Sequence, residues 1–189
     1  MRYDPILCHR LIFAVRPPAE VIPRIGALFE LPGMGGRRVR AANLHIAIEA
    51  LEDSAFYPAR AARAALDAGA QIDVAPFEIT LDRLTGSHNA VALRPSRRLP
   101  ALHALNETLR AACATAGLPP REGNHFNPLM TLLYREGTPF TRPVEPISWR
   151  VEQIVLIDVL VGSSRQEPVG SWSLEDAPEQ EAPRQYALL

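Results

Sequence analysis

Short apolar runs alternate with polar or proline-containing breaks along the chain, and each run predicts a strand or a helix. Residues 11–15 are all apolar and are followed by Arg16 and two prolines, a pattern typical of a buried strand. Turn-forming residues at 86–89 separate two extended stretches and predict a hairpin. The further predicted strands cover residues 43–51, 72–84 with a break near Pro76, 91–93, 128–134, 149–160 and 171–174.

Apolar residues have helical spacing in three segments. Residues 99–116 place Leu102, Leu105 and Leu109 on one helix face, and Gly117 followed by prolines ends this helix. The other predicted helices cover residues 19–29 and the alanine-rich residues 57–69. Because strands and helices mix without the strict alternation of a parallel sheet, the pattern predicts an α+β fold with antiparallel sheets.

The order of these elements indicates two similar halves, each with a strand, a helix and a further strand that carries a short polar signature. We therefore predict two pseudo-symmetric lobes, each an antiparallel sheet with outer helices, around a central cleft. In this prediction residues 1–175 form a single bilobal domain. Residues 176–189 are rich in Glu, Pro, Gln and Ala, which predicts a mobile C-terminal tail.

The composition is that of a globular protein, with 47% hydrophobic residues, 22% charged residues and a formal net charge of -1 over 189 residues. This near-neutral balance argues against a broad non-specific surface for nucleic acid, while it allows a small basic cleft. The chain contains no lysine, and all 20 of its basic residues are arginine. Any cationic contact with a phosphate would therefore come from an arginine, whose planar fork can donate two hydrogen bonds.

Several classes of protein and of site are excluded by the sequence. No apolar run approaches the ~20 residues needed to span a bilayer. Cys8 and Cys113 lack the spacing of metal ligands or of a disulfide framework, so we expect a cytoplasmic protein. No Cys/His cluster that would support zinc, no glycine-rich phosphate loop and no nucleophile elbow is present.

Two predicted strands remain as candidates for a functional site, because each has polar residues among apolar ones. They are residues 43–48 and residues 126–132. Because residues two apart on a strand face the same side, His45 shares a face with Ala47, and Leu129 shares a face with Thr131.

These two segments resemble the signatures of the two-histidine (2H) phosphoesterase superfamily, in particular the bacterial RNA 2′,3′-cyclic phosphodiesterases, also called 2′-5′ RNA ligases. Family members carry Asn-Leu-His-x-Thr-Leu in the first signature and Phe-x-Pro-His-x-Thr-Leu in the second. The segments that are similar to the family, in the family's order, are residues 10–18, 40–51, 76–79, 126–132 and 155–158, with Gly170 and Trp172.

The chain departs from both signatures. His45 matches the first histidine, but Ala47 stands where the family has threonine; Thr131 matches the second threonine, but Leu129 stands where the family has histidine. An arginine that often follows the second threonine by three residues is replaced by Tyr134. Half of the four central polar groups are therefore absent.

The resemblance implies a reaction that needs neither a metal nor a cofactor. One imidazole acts as general base, the other protonates the leaving ribose oxygen, and the two hydroxyls hold the phosphate oxygens. It follows that His45 is the catalytic residue and Thr131 the phosphate-binding residue. Four further residues are candidates for a surrogate acid or for the cleft wall: His125, Tyr134, Arg135 and Arg40.

The absence of one acid or base typically slows such a reaction ~10²–10⁴-fold. We therefore predict a divergent member that acts on an RNA-type 2′,3′-cyclic phosphate or a related nucleotide phosphodiester, with impaired or altered catalysis. One alternative is a non-catalytic module that binds nucleotides or RNA ends, and another is a phosphoesterase that uses His45 alone with an arginine or Tyr134. The expected partner is a nucleotide or an RNA terminus with a cyclic phosphate, bound by a monomer away from membranes.

Overall fold

The computed structural model of the protein describes residues 7–123, 125–163 and 165–175. The predicted C-terminal tail, residues 176–189, lies outside the described residues. Within the described ranges, no helix is long and apolar enough to cross a membrane.

Nine strands occur in the described part of the chain. They are Cys8–Val15 (β1), Arg37–Arg38 (β2), Ile46–Ala50 (β3), Phe77–Gly86 (β4), Ala90–Arg94 (β5), Met130–Tyr134 (β6), Phe140–Val151 (β7), Gln153–Val161 (β8) and Gln166–Ser173 (β9). The strands pair in the order β7-β4-β5-β6-β3-β1-β8-β9, with β2 beside β6, and every pairing is antiparallel. The predicted α+β class with antiparallel strands is confirmed.

The spatial grouping of the strands does not follow the two halves of the sequence. β4 to β7 are consecutive in the chain and form one side of the sheet. The other side combines β1 and β3 with β8 and β9, so strands from both ends of the described chain lie next to each other. The junction between the two sides is the pairing of β3 with β6, where Ile46 is opposite Met130.

Among the described residues, three α-helices pack on this sheet: Ile22–Ala27 (α1), Ala59–Gly69 (α2) and Pro100–Thr115 (α3). α3 agrees with its prediction to within one residue at each end and contacts β3 and α2, while α2 contacts β8 and β9. The helix predicted for residues 19–29 is shorter than expected, because single 3₁₀ turns, Ala19–Val21 and Leu28–Glu30, flank α1.

The prediction of one strand over residues 149–160 is wrong, because two strands meet there. β7 ends at Val151 and β8 begins at Gln153. The sequence does not predict most of β7, and this part of the strand contains Pro143 and Pro146. β7 pairs only with β4 in the described sheet, and an edge strand tolerates proline because one row of its N–H groups has no ladder partner.

The two faces of β1 contact different hydrophobic clusters. Leu11 and Phe13 point into the main core, which also contains Leu102, Leu105 and Leu109 of α3. Their neighbours Ile12 and Ala14 belong to a second, smaller cluster on the opposite face, together with Ala50 and Ile157. The helices therefore cover one face of β1. The opposite face, which carries Arg10 and Ile12, is not covered by them and borders a cavity.

Candidate functional site

A cavity of about 990 Å³ opens on the face of the sheet that bears Arg10 and Ile12. Its lining comes from four places in the chain: Arg10 and Ile12 of β1, the segment 37–47, residues 129–134 at β6, and residues 159–167 from the end of β8 to the start of β9. His45, Ala47, Leu129 and Thr131 all line it. The four positions that correspond to the two signatures thus meet in one cavity, although more than 80 residues separate His45 from Leu129.

His45 lies between the 3₁₀ turn Ala41–Asn43 and the first residue of β3. Its Nδ1 is 2.8 Å from the main-chain oxygen of Asn43. A carbonyl oxygen can only accept a hydrogen bond, so Nδ1 carries the proton and donates it. The Nε2 atom of the neutral ring is then the acceptor, which is the form that a general base requires.

Burial sets the proton affinity of this imidazole. Loss of contact with water lowers the pKa of His45 below its ordinary value, the hydrogen bond to Asn43 raises it, and the positive charge of Arg16 lowers it further. The net shift is downward, so His45 is neutral at pH 7. The neutral ring has a free lone pair on Nε2 that can accept a proton, and it has no proton on that atom to deliver.

The Asn43 carbonyl has a second donor, which comes from the far end of the chain. Gln166 Nε2 donates to this oxygen at 3.3 Å, and Arg16 donates from a terminal guanidinium nitrogen to Gln166 Oε1 at 3.5 Å. The contacts span 123 and 150 residues in sequence. Sequence reasoning missed Gln166, because no local pattern around this residue indicates that its side chain reaches the turn at Asn43.

Thr131 and Leu129 take their places from the junction between β3 and β6. Ile46 is opposite Met130 there, and continuing this antiparallel register by one residue each way sets His45 opposite Thr131 and Ala47 opposite Leu129. Extended in this way, the register predicts that the two retained polar residues are neighbours across the junction. It predicts that the two aliphatic replacements are the next pair along the same junction.

Arginines form the wall on the side of Thr131. Arg37, Arg38 and Arg40 line the cavity. The Arg37 guanidinium carbon lies 4.8 Å from the centre of the Tyr134 ring, a cation–π distance, and the Tyr134 side chain is 45% exposed and also lines the cavity. This wall offers positive charge and an aromatic face to an anionic ligand.

Two further arginines at the cavity are held by carboxylates. Arg10 makes two hydrogen bonds to Asp53, at 2.6 and 2.7 Å, and Arg165 Nε lies 3.0 Å from Glu167 Oε1. The Arg10 guanidinium is the main reason that the pKa of Asp53 is lowered. Sequence reasoning did not single out either arginine as a cavity residue.

The four secondary candidates divide into two pairs. Arg40 and Tyr134 line the cavity. His125 and Arg135 are not part of its lining: His125 is exposed in the loop before β6, and Arg135 donates to the Thr138 carbonyl at 3.3 Å. His125 precedes β6, which begins at Met130, by five residues.

No group of three or more His, Cys, Asp or Glu side chains that could hold a metal ion occurs within residues 7–123, 125–163 and 165–175. The polar groups of the cavity are guanidinium, imidazole, hydroxyl and amide groups, with Glu167 at its rim. Such a set is suited to bind a phosphate directly through hydrogen bonds.

Comparison with known proteins agrees with this geometry. Residues 18–162 match the family model of the 2′-5′ RNA ligase superfamily, and the chain belongs to this superfamily of 2H phosphoesterases. No curated protein matches the sequence.

Several solved structures have the same fold. LigT of E. coli in complex with 3′-AMP is 27% identical, with a TM-score of 0.71 over 89% of this chain and 99% of LigT. Its complex with phosphate aligns with a TM-score of 0.68 at 27% identity over 90% and 99% of the two chains. TT0787 of Thermus thermophilus, 23% identical with a TM-score of 0.64 over 87% and 97%, shares the fold.

Proposed function

We propose that this protein binds an RNA-type 2′,3′-cyclic phosphate or a related nucleotide phosphodiester in the His45 cavity and hydrolyses it slowly. The observation that carries the proposal is the meeting of His45 and Thr131 in one cavity beside Arg37, Arg38 and Arg40. The structures of LigT with 3′-AMP, ATP, NADP⁺ and phosphate support a nucleotide phosphate as the ligand.

The assigned roles follow from the chemistry of each side chain. His45 Nε2 takes a proton from the attacking water, because Nδ1 is committed to the Asn43 carbonyl. The Thr131 hydroxyl and the arginine wall hold the phosphate oxygens, on which negative charge increases in the transition state. Leu129 has no titratable group, so it cannot protonate the leaving oxygen.

The missing acid determines the rate that we expect. Positioned acid–base groups typically contribute about 10²–10⁴-fold each, so the chain should hydrolyse its substrate slower by that factor than a member with both histidines. His125 and Arg135 do not line the cavity, so their positions do not support a role as the surrogate acid. Arg40 and Tyr134 are in the lining and stay as candidates for contacts with the phosphate.

A second function is favoured by the Ala47–Leu129 pair. Both residues that would complete the two signatures are aliphatic, which is also compatible with a non-catalytic module that binds nucleotides or RNA ends. We also propose that the protein is a bilobal monomer of the cytoplasm, a compartment that suits the free thiols of Cys8 and Cys113.

Purified protein incubated with 2′,3′-cyclic nucleotides tests the two functions. We expect slow turnover that the His45→Ala variant abolishes and that the control His88→Ala, in an exposed hairpin turn, retains. Saturable binding without turnover, weakened by Thr131→Val, would favour the binding module. A chain that neither binds nor converts these nucleotides would contradict both functions.

A further inference from the structure

The polarity of the cavity changes along the junction of β3 and β6, and this change indicates what the ligand carries beside its phosphate. Three positions follow one another from Tyr134 back toward Leu129. The first is Tyr134 beside Arg37, the second is Thr131 near His45, and the third is Leu129 near Ala47. At about 3.3 Å per residue, Leu129 lies about 7 Å beyond Thr131 along the strand direction.

The apolar surface next to Thr131 consists of the Ala47–Leu129 pair. Val159 and Val161 also line the cavity, but they lie opposite Arg10 and Cys8 of β1, whereas Ala47 lies opposite Ala14. At about 3.3 Å per residue, Val159 is therefore about 13 Å further along the sheet than Ala47, and the charged Arg10 lies beside it.

This surface is accessible to a ligand. Ala47 is exposed, and Leu129 is partly exposed. Exposed aliphatic side chains inside a cavity release ordered water when an apolar group covers them, which favours binding of such a group. A charged or strongly polar group at the same place would lose hydrogen bonds to water without gaining new partners from these residues.

We propose that the ligand is a phosphate ester with an apolar alkyl or aryl substituent that lies on Ala47 and Leu129. The inference rests on the proposed function, because the phosphate is anchored at His45, Thr131 and the arginine wall. The replacement of a threonine and a histidine by Ala47 and Leu129 therefore changes which ester the cavity selects, in addition to removing the acid.

Binding of two monoesters with the same charge tests this inference, since n-butyl phosphate differs from methyl phosphate only by three methylene groups. Each buried methylene contributes about fourfold to affinity, so we expect n-butyl phosphate to bind at least about tenfold more tightly to the wild type. Leu129→Asn and Ala47→Asn should each reduce this ratio to less than about threefold. The control Leu31→Asn, at a leucine 36% exposed and outside the cavity lining, should leave the ratio unchanged.

Isothermal titration calorimetry distinguishes failure of the inference from failure of the proposed function. Methyl phosphate that binds in a His45- and Thr131-dependent way, with n-butyl phosphate binding no more tightly, would overturn the inference and leave the phosphate site intact. A preference for the butyl ester that persists in both asparagine variants would also overturn it. Absence of binding by either ester and by 2′,3′-cyclic nucleotides would overturn both.

Discussion

Ile46 of β3 lies opposite Met130 of β6, and both side chains are completely buried. This pair joins the strands from the two ends of the chain to the strands from its middle. It also determines which signature positions become neighbours, because the residues on either side of the pair face the cavity. One flank is His45 with Thr131, and the other is Ala47 with Leu129.

Replacing Ala47 and Leu129 by the threonine and the histidine of the family signatures should restore catalysis. The double variant Ala47→Thr/Leu129→His places a hydroxyl and a second imidazole in the existing cavity. We expect its turnover of 2′,3′-cyclic nucleotides to exceed that of the wild type about 10²–10⁴-fold. The rate of product formation, followed chromatographically, measures the gain.

A matched control is Ala47→Thr/Leu129→Gln, which adds polarity without a group that transfers protons near pH 7. It should show no comparable gain. If the His variant is no faster than the Gln variant, the residues around the cavity do not hold the second imidazole in a productive position.

The pH dependence of His45 follows from its lowered pKa. Burial moves the pKa below the ordinary value of 6.5, so more than half of the His45 rings are deprotonated at pH 6.5, and we expect the proposed activity to decline only at lower pH. A ¹H–¹⁵N NMR titration of the ring, assigned with His45→Gln, measures this pKa. A midpoint at or above 6.5 would contradict the burial that we describe.

The same shift affects folding stability, and its sign is opposite to that of a salt-bridged histidine. The unfolded chain binds a proton at His45 more readily than the folded chain does. The contribution of His45 to the free energy of unfolding is therefore complete above pH 6.5 and is lost as the pH falls from 6.5 through the lowered pKa. His45→Gln should reduce the dependence of the urea midpoint on pH in this range.

The buried contact between α3 and β3 should contribute substantially to stability. Asn106 Nδ2 donates to the Ile48 carbonyl at 2.6 Å and to Glu49 Oε2 at 2.9 Å, and the side chains of Asn106 and Glu49 are buried. Asn106→Leu removes both hydrogen bonds and leaves buried acceptors with fewer donors. We expect a loss of about 1–3 kcal/mol in the free energy of unfolding, measured in urea.

The exposed neighbour Glu107 supplies the control for that measurement. Glu107→Gln on the outer face of α3 should change the free energy of unfolding by no more than about 0.5 kcal/mol. Equal stability of Asn106→Leu and the wild type would show that the buried hydrogen bonds are replaced by other donors.

A glycine at the end of α2 allows the helix to approach β9 closely. A Cβ atom on Gly69 would lie 2.5 Å from the Trp172 ring. Alanine is the better helix former, yet we expect Gly69→Ala to lower the free energy of unfolding by about 1–3 kcal/mol, because a packed indole cannot give way easily. Thermal unfolding followed by tryptophan fluorescence tests this.

Gly26 in α1 is the matched position, since a Cβ atom there would have no neighbour within 4 Å. Gly26→Ala should stabilise the protein by about 0.4–1 kcal/mol. If both alanine variants stabilise, the contact between α2 and Trp172 is looser than the structure indicates.

The sequence predicts those parts of the fold whose signal is local. α3 is found to within one residue because Leu102, Leu105 and Leu109 repeat with helical spacing. β7 is missed because Pro143 and Pro146 are compatible with a strand only at the edge of a sheet, and edge position depends on the whole topology.

The residues of the candidate site differ in the same respect, since some have a local sequence signal and others do not. His45 and Thr131 are found through short signatures, and the structure places both in one cavity. Arg165 and Gln166 are not found, because they reach the cavity only when β9 folds back beside β8. His125 is adjacent to the second signature in sequence, but a loop without strand geometry does not carry it into the cavity.

The position of β8 and β9 next to β1 also has a consequence for protein synthesis. The donor that steadies the Asn43 carbonyl is on β9, more than 120 residues after the histidine that depends on this carbonyl. A nascent chain can build β4 to β7 while the segment that completes the cavity is still inside the ribosome. The cavity is therefore complete only after β9 has left the ribosome.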